Sequence, residues 1–353
     1  MIVRVFRYSF AQAKARSMRG KLLSPDDWHY LLRMKGLEDI LKYLSGTDYS
    51  LVLSRFSGAR LEAGAISLAL HDDLFAAYAK LLKAVPSKSS HIPRSFLSLY
   101  EAENLKTILR GLFQGKAAAY IRSLLYRLGP LSLLPVEDLL EARQVAEAIE
   151  LLKPSPFHRP LLHALPQFHA QGRLFPLERA IDIAVMENIH ESLKFVSGLD
   201  RKGVEILTGE WIDLANLSWI VRLRRLYGLS PEETINYTVP GGRYLGLREL
   251  GAVARAPDRP SFLSALPHPY DEALGRTEDW EQIQTLLSKW FVGELQKTFS
   301  QDPFQIRLAL SYLLLKELEV KSLGSLITAV ELGEPTGNLV DLISLPVKGG
   351  AHV

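Results

Sequence analysis

Along most of the chain apolar residues return every three or four positions, and sustained alternation of apolar and polar residues is missing, so the pattern predicts an all-α protein with few or no strands. The run PVEDLLEARQVAEAIELL, residues 135–152, reads as one amphipathic helix, with Val136, Leu139, Leu140, Ala146, Ile149 and Leu152 taken as its apolar stripe. Two helix starts share one grammar: Ser24-Pro25-Asp26-Asp27 and Ser230-Pro231-Glu232-Glu233 each offer a capping Ser, a first-turn Pro and an acid at the third position. Proline-rich stretches at 154–166 and 257–269, and the turn Pro240-Gly241-Gly242, read as breaks or corners between helices. LPQF at 165–168 and LPHP at 266–269 close the two proline-rich stretches, and LSGTDYS at 44–50 occupies the corresponding place earlier.

A longer repeat lies beneath this pattern. Glu101, Asn104, Leu105, Ile108 and Arg110 match Asp213, Asn216, Leu217, Ile220 and Arg222 at identical spacing, 112 residues apart. A third segment, Arg307 to Lys316, fits weakly, with Leu310 and Ser311 in place of Asn-Leu, Leu314 in place of Ile and Lys316 in place of Arg. On a helix the first four motif positions share one face and the Arg points elsewhere. An Asn on an apolar stripe must find hydrogen-bond partners when buried, which makes Asn104 and Asn216 fold-holding residues, with direct partner contact as the other reading. Arg110 and Arg222 either bridge helices or face a partner.

The repeat also disposes of a nucleotide site. ENLKTILRGLFQGK, residues 103–116, ends like a phosphate loop, but Gly111 and Gly115 are separated by three residues where the motif needs four, Lys116 is followed by Ala, and a helical pattern precedes it. It reads as a repeat helix whose end the two glycines loosen.

Composition narrows the possibilities further. With 353 residues, 47% apolar and 23% charged, the chain can bury a core larger than one domain usually holds. No apolar run approaches the roughly 18 residues of a membrane span. Zero cysteines remove disulfides, thiolate metal sites and Cys nucleophiles. Net charge is +3, yet residues 1–60 hold eleven Lys or Arg against five Asp or Glu. Arg4, Arg7, Lys14, Arg16 and Arg19 make the opening helix a basic face for an acidic partner, membrane headgroups or solvent. An organellar presequence is the other reading of this stretch, but no composition break marks a cleavage point. Nucleic acid is disfavoured, since no aromatic platforms interleave with the bases.

Catalytic and metal signatures are weak. His158, His163 and His169 are not spaced for one helix face, His190-Glu191 lacks the second His of a zinc protease motif, and Asp26-Asp27 and Asp72-Asp73 splay apart on a helix. Trp211, Trp219, Trp280 and Trp290 read as packing anchors. No catalytic residue, metal or cofactor is expected.

The segments YSFAQAKARSMRGKLLS, GTDY, ENLKTILRG, DLANLSWIVRLRRLYGLSPEETINYTVPGG and PFQIRLALSYLLLKELEVKSL together resemble the C subunit of prokaryotic V/A-type rotary ATPases, known as the d subunit in eukaryotic vacuolar ATPases. The resemblance implies three related helical units in a funnel of approximate threefold symmetry, here 1–130, 131–245 and 246–353. It implies a non-catalytic central-stalk adaptor between the proteolipid rotor ring and the central shaft, serving proton or sodium transport in ATP synthesis or pumping. The expected location is cytoplasmic, reaching the membrane only through the ring. A generic helical-repeat scaffold with a concave peptide-binding surface is the rival, but solenoid repeats are about 34–47 residues long and these are far longer.

Overall fold

A computed structural model describes residues 2–56, 61–153, 155–275, 279–280, 282–301 and 304–334, together with Leu345. Helices dominate, and no strand occurs among the described residues. They are α1 (Ile2–Arg19), α2 (Pro25–Leu31), α3 (Leu37–Leu44), α4 (Ser50–Leu53), α5 (Ala63–Leu82), α6 (His91–Phe113), α7 (Ala118–Ser123), α8 (Val136–Glu141) and α9 (Val145–Leu151). Then follow α10 (His158–Gln171), α11 (Phe175–Ser192), α12 (Gly198–Arg225), α13 (Pro231–Ile235), α14 (Leu247–Arg255), α15 (Arg259–Ala265), α16 (Tyr270–Leu274), α17 (Ile283–Lys297) and α18 (Ile306–Glu331).

The two shared start signals both form capping boxes. Ser24 Oγ accepts from Asp27 N at 3.2 Å while Asp27 accepts from Ser24 N at 2.6 Å, and Ser230 and Glu233 repeat the exchange at 3.2 and 2.9 Å. The run 135–152 departs from the single helix expected. On one continuous helix Val145, Ala148, Ile149 and Leu152 would point about half a turn away from Val136, Leu139 and Leu140. The chain instead breaks between α8 and α9, with Ala142 and Gln144 extended and Glu147 Oε2 accepting from Arg143 N at 2.8 Å. The break buries Leu139 and Leu140 together with Val145, Ala148, Ile149 and Leu152.

The proline-rich stretches are likewise more helical than expected. Pro160 lies in the first turn of α10, where its missing N–H costs no bond, and Pro260 starts α15 behind the Asp258 cap, whose carboxylate accepts from Ser261 N at 2.9 Å. Pro166 alone sits inside a helix, and buried Leu161 and Phe168 anchor α10 on either side of it. The helix ends at Gly172, whose left-handed φ of 62° lets its N–H reach Phe168 O at 2.9 Å.

The chain divides into two compact units, Pro86–Val196 and a second made of Met1–Val85 with Ser197–Val353. In the first, α6 packs on α11, which packs on α10, while α7 and α9 fold back on α6. Gly111 makes room there: a Cβ on it would lie 2.4 Å from Ile121 Cδ1, so this glycine seats α7 rather than loosening the end of α6.

In the second unit α18 is the central helix, buried along nearly its whole length against α5, α1, α12 and α17. Helix α1 is tied down by polar bonds: Asp200 accepts from Tyr8 Oη at 2.8 Å and from Ile306 N at 3.1 Å. Helix α12 carries α13, α14 and α17.

Candidate functional site

The repeated motif sits on α6 in one unit and on α12 in the other. In each, the Asn grips a returning peptide with both ends of its amide. Asn104 Nδ2 donates to Tyr126 O at 2.8 Å and its Oδ1 accepts from Tyr126 N at 2.8 Å; Asn216 does the same with Val239 at 2.9 and 2.9 Å. The captured residues stand 22 and 23 positions after their asparagines, so the repeat includes the return loop as well as the helix. The acid one turn earlier holds the next stretch. Glu101 accepts from Leu133 N and Ser132 Oγ, while Asp213 accepts from Tyr244 N at 2.8 Å, Leu245 N at 3.2 Å and Tyr270 Oη at 2.9 Å. Burial pushes both carboxyls above their usual range, and the hydrogen bonds pull the other way. Leu105, Ile108, Leu217 and Ile220 are core residues.

The match fails at Arg. Arg110 Nε donates to Glu178 on α11 at 2.6 Å, whereas Arg222 has no ion pair among the described residues and lies 5.9 Å from the ring of its neighbour Tyr227.

The weak third copy lands elsewhere on α18. Leu310, Ser311 and Leu314 are buried, and Ser311 shares a hydrogen bond with Thr298 at 2.9 Å. The residue that captures backbone is Glu319, nine positions beyond Leu310, accepting from Leu23 N at 2.6 Å and Tyr49 Oη at 2.7 Å. Lys316, one turn earlier, is buried between Glu319 at 3.2 Å and Asp73 at 2.9 Å. Glu319 thus holds backbone as Glu101 and Asp213 do above, with Ser322-Leu323 after it where Asn-Leu follows them, and the missing Asn hid its register.

Sequence reasoning missed Glu210. It is fully buried on α12; one carboxylate oxygen binds Arg243 and the other, Oε2, has no partner. Burial, helped by Glu294, pushes its carboxyl up to about 7 against the pull of Arg243 and Arg307. The same repeat position on α6 is Ser98, whose Oγ turns back onto its own helix at Ser95 O. The Gly-rich turn predicted at 240–242 was a clue: a Cβ on Gly242 would fall 2.0 Å from Asp213 Oδ1, so only glycine lets this loop lie on α12.

The basic opening residues are divided in their contacts. Arg16 Nη2 donates to Phe299 O at 2.6 Å and the Arg19 guanidinium covers the Phe299 ring at 4.3 Å. Arg7 is exposed and Lys14 half-buried, resting near Tyr8 and Phe10. The side chain of Arg4 lies outside the described residues. The three histidines singled out all fall on α10, and no group of three or more His, Asp or Glu placed to hold a metal ion occurs among the described residues. None of the described helices is long and apolar enough to cross a membrane.

The clamped return loops lie within a similarity to known sequences that extends over almost the whole chain. The family described as ATP synthase (C/AC39) subunit matches residues 11–337. The chain belongs to that family. Among its relatives in the C/AC39 family, the A-type ATP synthase C subunit of Methanocaldococcus jannaschii is 24% identical over 335 residues, 93% of this chain and 84% of that protein. The corresponding C subunit of Haloferax volcanii is 25% identical over 346 residues, 94% and 96% of the two chains. That of Methanothermobacter thermautotrophicus is 24% identical over 331 residues, 91% and 83%. This C/AC39 protein, with clamps at Asn104 and Asn216, has its repeat inside the matched span.

Proposed function

We propose that the chain is the non-catalytic central-stalk adaptor of a V/A-type rotary ATPase, joining the membrane proteolipid ring to the central shaft. The observation that carries this reading is the family match across residues 11–337, with relatives named as C subunits of A-type ATP synthases that align over most of their length. The all-helical architecture supports it, as does a repeat in which α6 and α12 each clamp their own return loop, since torque must pass through a body that resists shear.

The reading includes a funnel of three related units, 1–130, 131–245 and 246–353, and peripheral attachment to the cytoplasmic face of the membrane through the ring. Proton or sodium movement belongs to the complex and not to this chain. Among the opening bases, Arg7 and Lys14 are the candidates to face ring loops or headgroups, because Arg16 and Arg19 already hold Phe299. The test is affinity purification of the tagged protein from native membranes in mild detergent. Catalytic and proteolipid subunits of the ATPase are expected to co-purify. Their absence would overturn the reading in favour of a free-standing helical scaffold.

A further inference from the structure

The two copies of the repeat end differently, and the difference exposes a surface. On α6 the last turn reads Arg110, Leu112, Phe113: the Arg is paired with Glu178, and the Phe113 ring meets Phe168 of α10 edge-on at 5.9 Å. The matching positions on α12 are Arg222, Arg224 and Arg225, three guanidiniums with no carboxylate paired to any of them among the described residues. The two residues that follow, Leu226 and Tyr227, are 76% and 61% exposed. Asp258 feels the charge of Arg225, but its carboxylate is committed to capping α15.

Beside this tip lies a cavity of about 230 Å³ walled by Ile220, Val253, Phe262 and Trp280, with Arg224 and Arg225 completing the lining. Arg225 stacks on the Trp280 ring at 3.9 Å. We propose that the end of α12 and this cavity form a docking site for an acidic protein segment that inserts one apolar side chain between the arginines. Guanidiniums without a carboxylate partner call for one, with which they form forked hydrogen bonds. The hollow, backed by the buried side chains of Ile220, Val253 and Phe262 and edged by the arginines, calls for a protruding side chain, which a protein segment offers and a flat layer of headgroups does not. The α6 end differs, because Arg110 is paired with Glu178 and a single half-exposed ring, Phe113, stands where α12 has Arg225.

The probe is a short fluorescent peptide of glutamates around a central Leu-Phe pair, titrated against the full-length protein. Arg222→Glu with Arg225→Glu is the test variant; Arg224 is left alone because its guanidinium holds Leu229 O at 2.7 Å. Lys42→Glu with Lys202→Glu, both exposed, changes net charge equally elsewhere. The proposal expects at least about a tenfold loss of affinity in the arginine variant, less than about twofold in the lysine variant, and a similar tenfold loss when Gly-Gly replaces Leu-Phe. Circular dichroism melts of both variants should match the unmodified protein. Equal weakening in both variants, no peptide binding at all, or arginine-dependent binding to phosphatidylserine vesicles in place of the peptide would each overturn it. Because the titration uses isolated protein, failed co-purification with the ATPase would sink the functional reading while leaving this result standing.

Discussion

Helices α6 and α12 carry the same Asn and acid clamps, yet one rests in a neutral setting and the other in a charged one. On α6, Ser98 turns inward on its own helix, Arg110 is paired and half-exposed Phe113 touches Phe168 edge-on. On α12, Glu210 is buried against part-exposed Arg243, and Arg222, Arg224 and Arg225 have no carboxylate paired to them among the described residues. The positions the copies share hold backbone, and those where they part hold charge. A repeat kept for its fold can therefore be specialised at positions the fold does not need, at the cost of stability wherever charge is buried.

The largest test of this division is the acid clamp. Asp213 satisfies two backbone amides and the buried Tyr270 hydroxyl, so Asp213→Ala should destabilise the protein by about 3–5 kcal/mol in urea unfolding, while Glu101→Ala, with fewer donors left bare, should cost about 1–3 kcal/mol. The reverse order would mean that the two settings are not what distinguishes the copies.

Next comes Glu210. Its folded pKa of about 7 lies above the unfolded value, so its contribution to stability is full below the unfolded pKa of 4.5 and is lost as pH rises through 7. At about 1.4 kcal/mol per pH unit the loss is on the order of 3–4 kcal/mol. Melting temperatures measured from pH 4.5 to 8 should fall less steeply in Glu210→Gln than in the unmodified protein. Parallel profiles would mean that Glu210 stays ionised throughout.

The Asn clamps should be equivalent. Asn104→Leu and Asn216→Leu each leave a buried amide and carbonyl unpaired, and each should cost about 1–3 kcal/mol. Unchanged melting with lost assembly would instead make them contact residues. The smallest effect separates the arginines: Arg110→Ala should cost up to about 1 kcal/mol, since its pair is half-exposed, and Arg222→Ala close to nothing. Equal losses would show that Arg222 has a partner after all.

The sequence made the helices visible because their periods are long, and it made the two clamps visible because Asn-Leu recurs unchanged. Three things stayed hidden for physical reasons. The break between α8 and α9 is a matter of phase, since apolar residues continue through it while their direction reverses. The helices around Pro160 and Pro260 were masked because proline breaks a helix interior but suits its first turn. Glu319 is followed by Ser322 where the other two acids are followed by Asn, and its partners Leu23 and Tyr49 lie nearly the whole chain away, where no local pattern reaches.

That last contact bears on how the protein is made. Leu23 bonds to Glu319 across 296 positions, and Arg16 to Phe299 across 283. At roughly 5–20 residues per second of synthesis, the opening helix waits on the order of fifteen to sixty seconds for its partner to leave the ribosome. Meanwhile 86–196 has all its own clamp partners in hand. The newborn chain therefore folds from its middle outward, and its first fifty residues stay open to chaperones and proteases until the last long helix arrives.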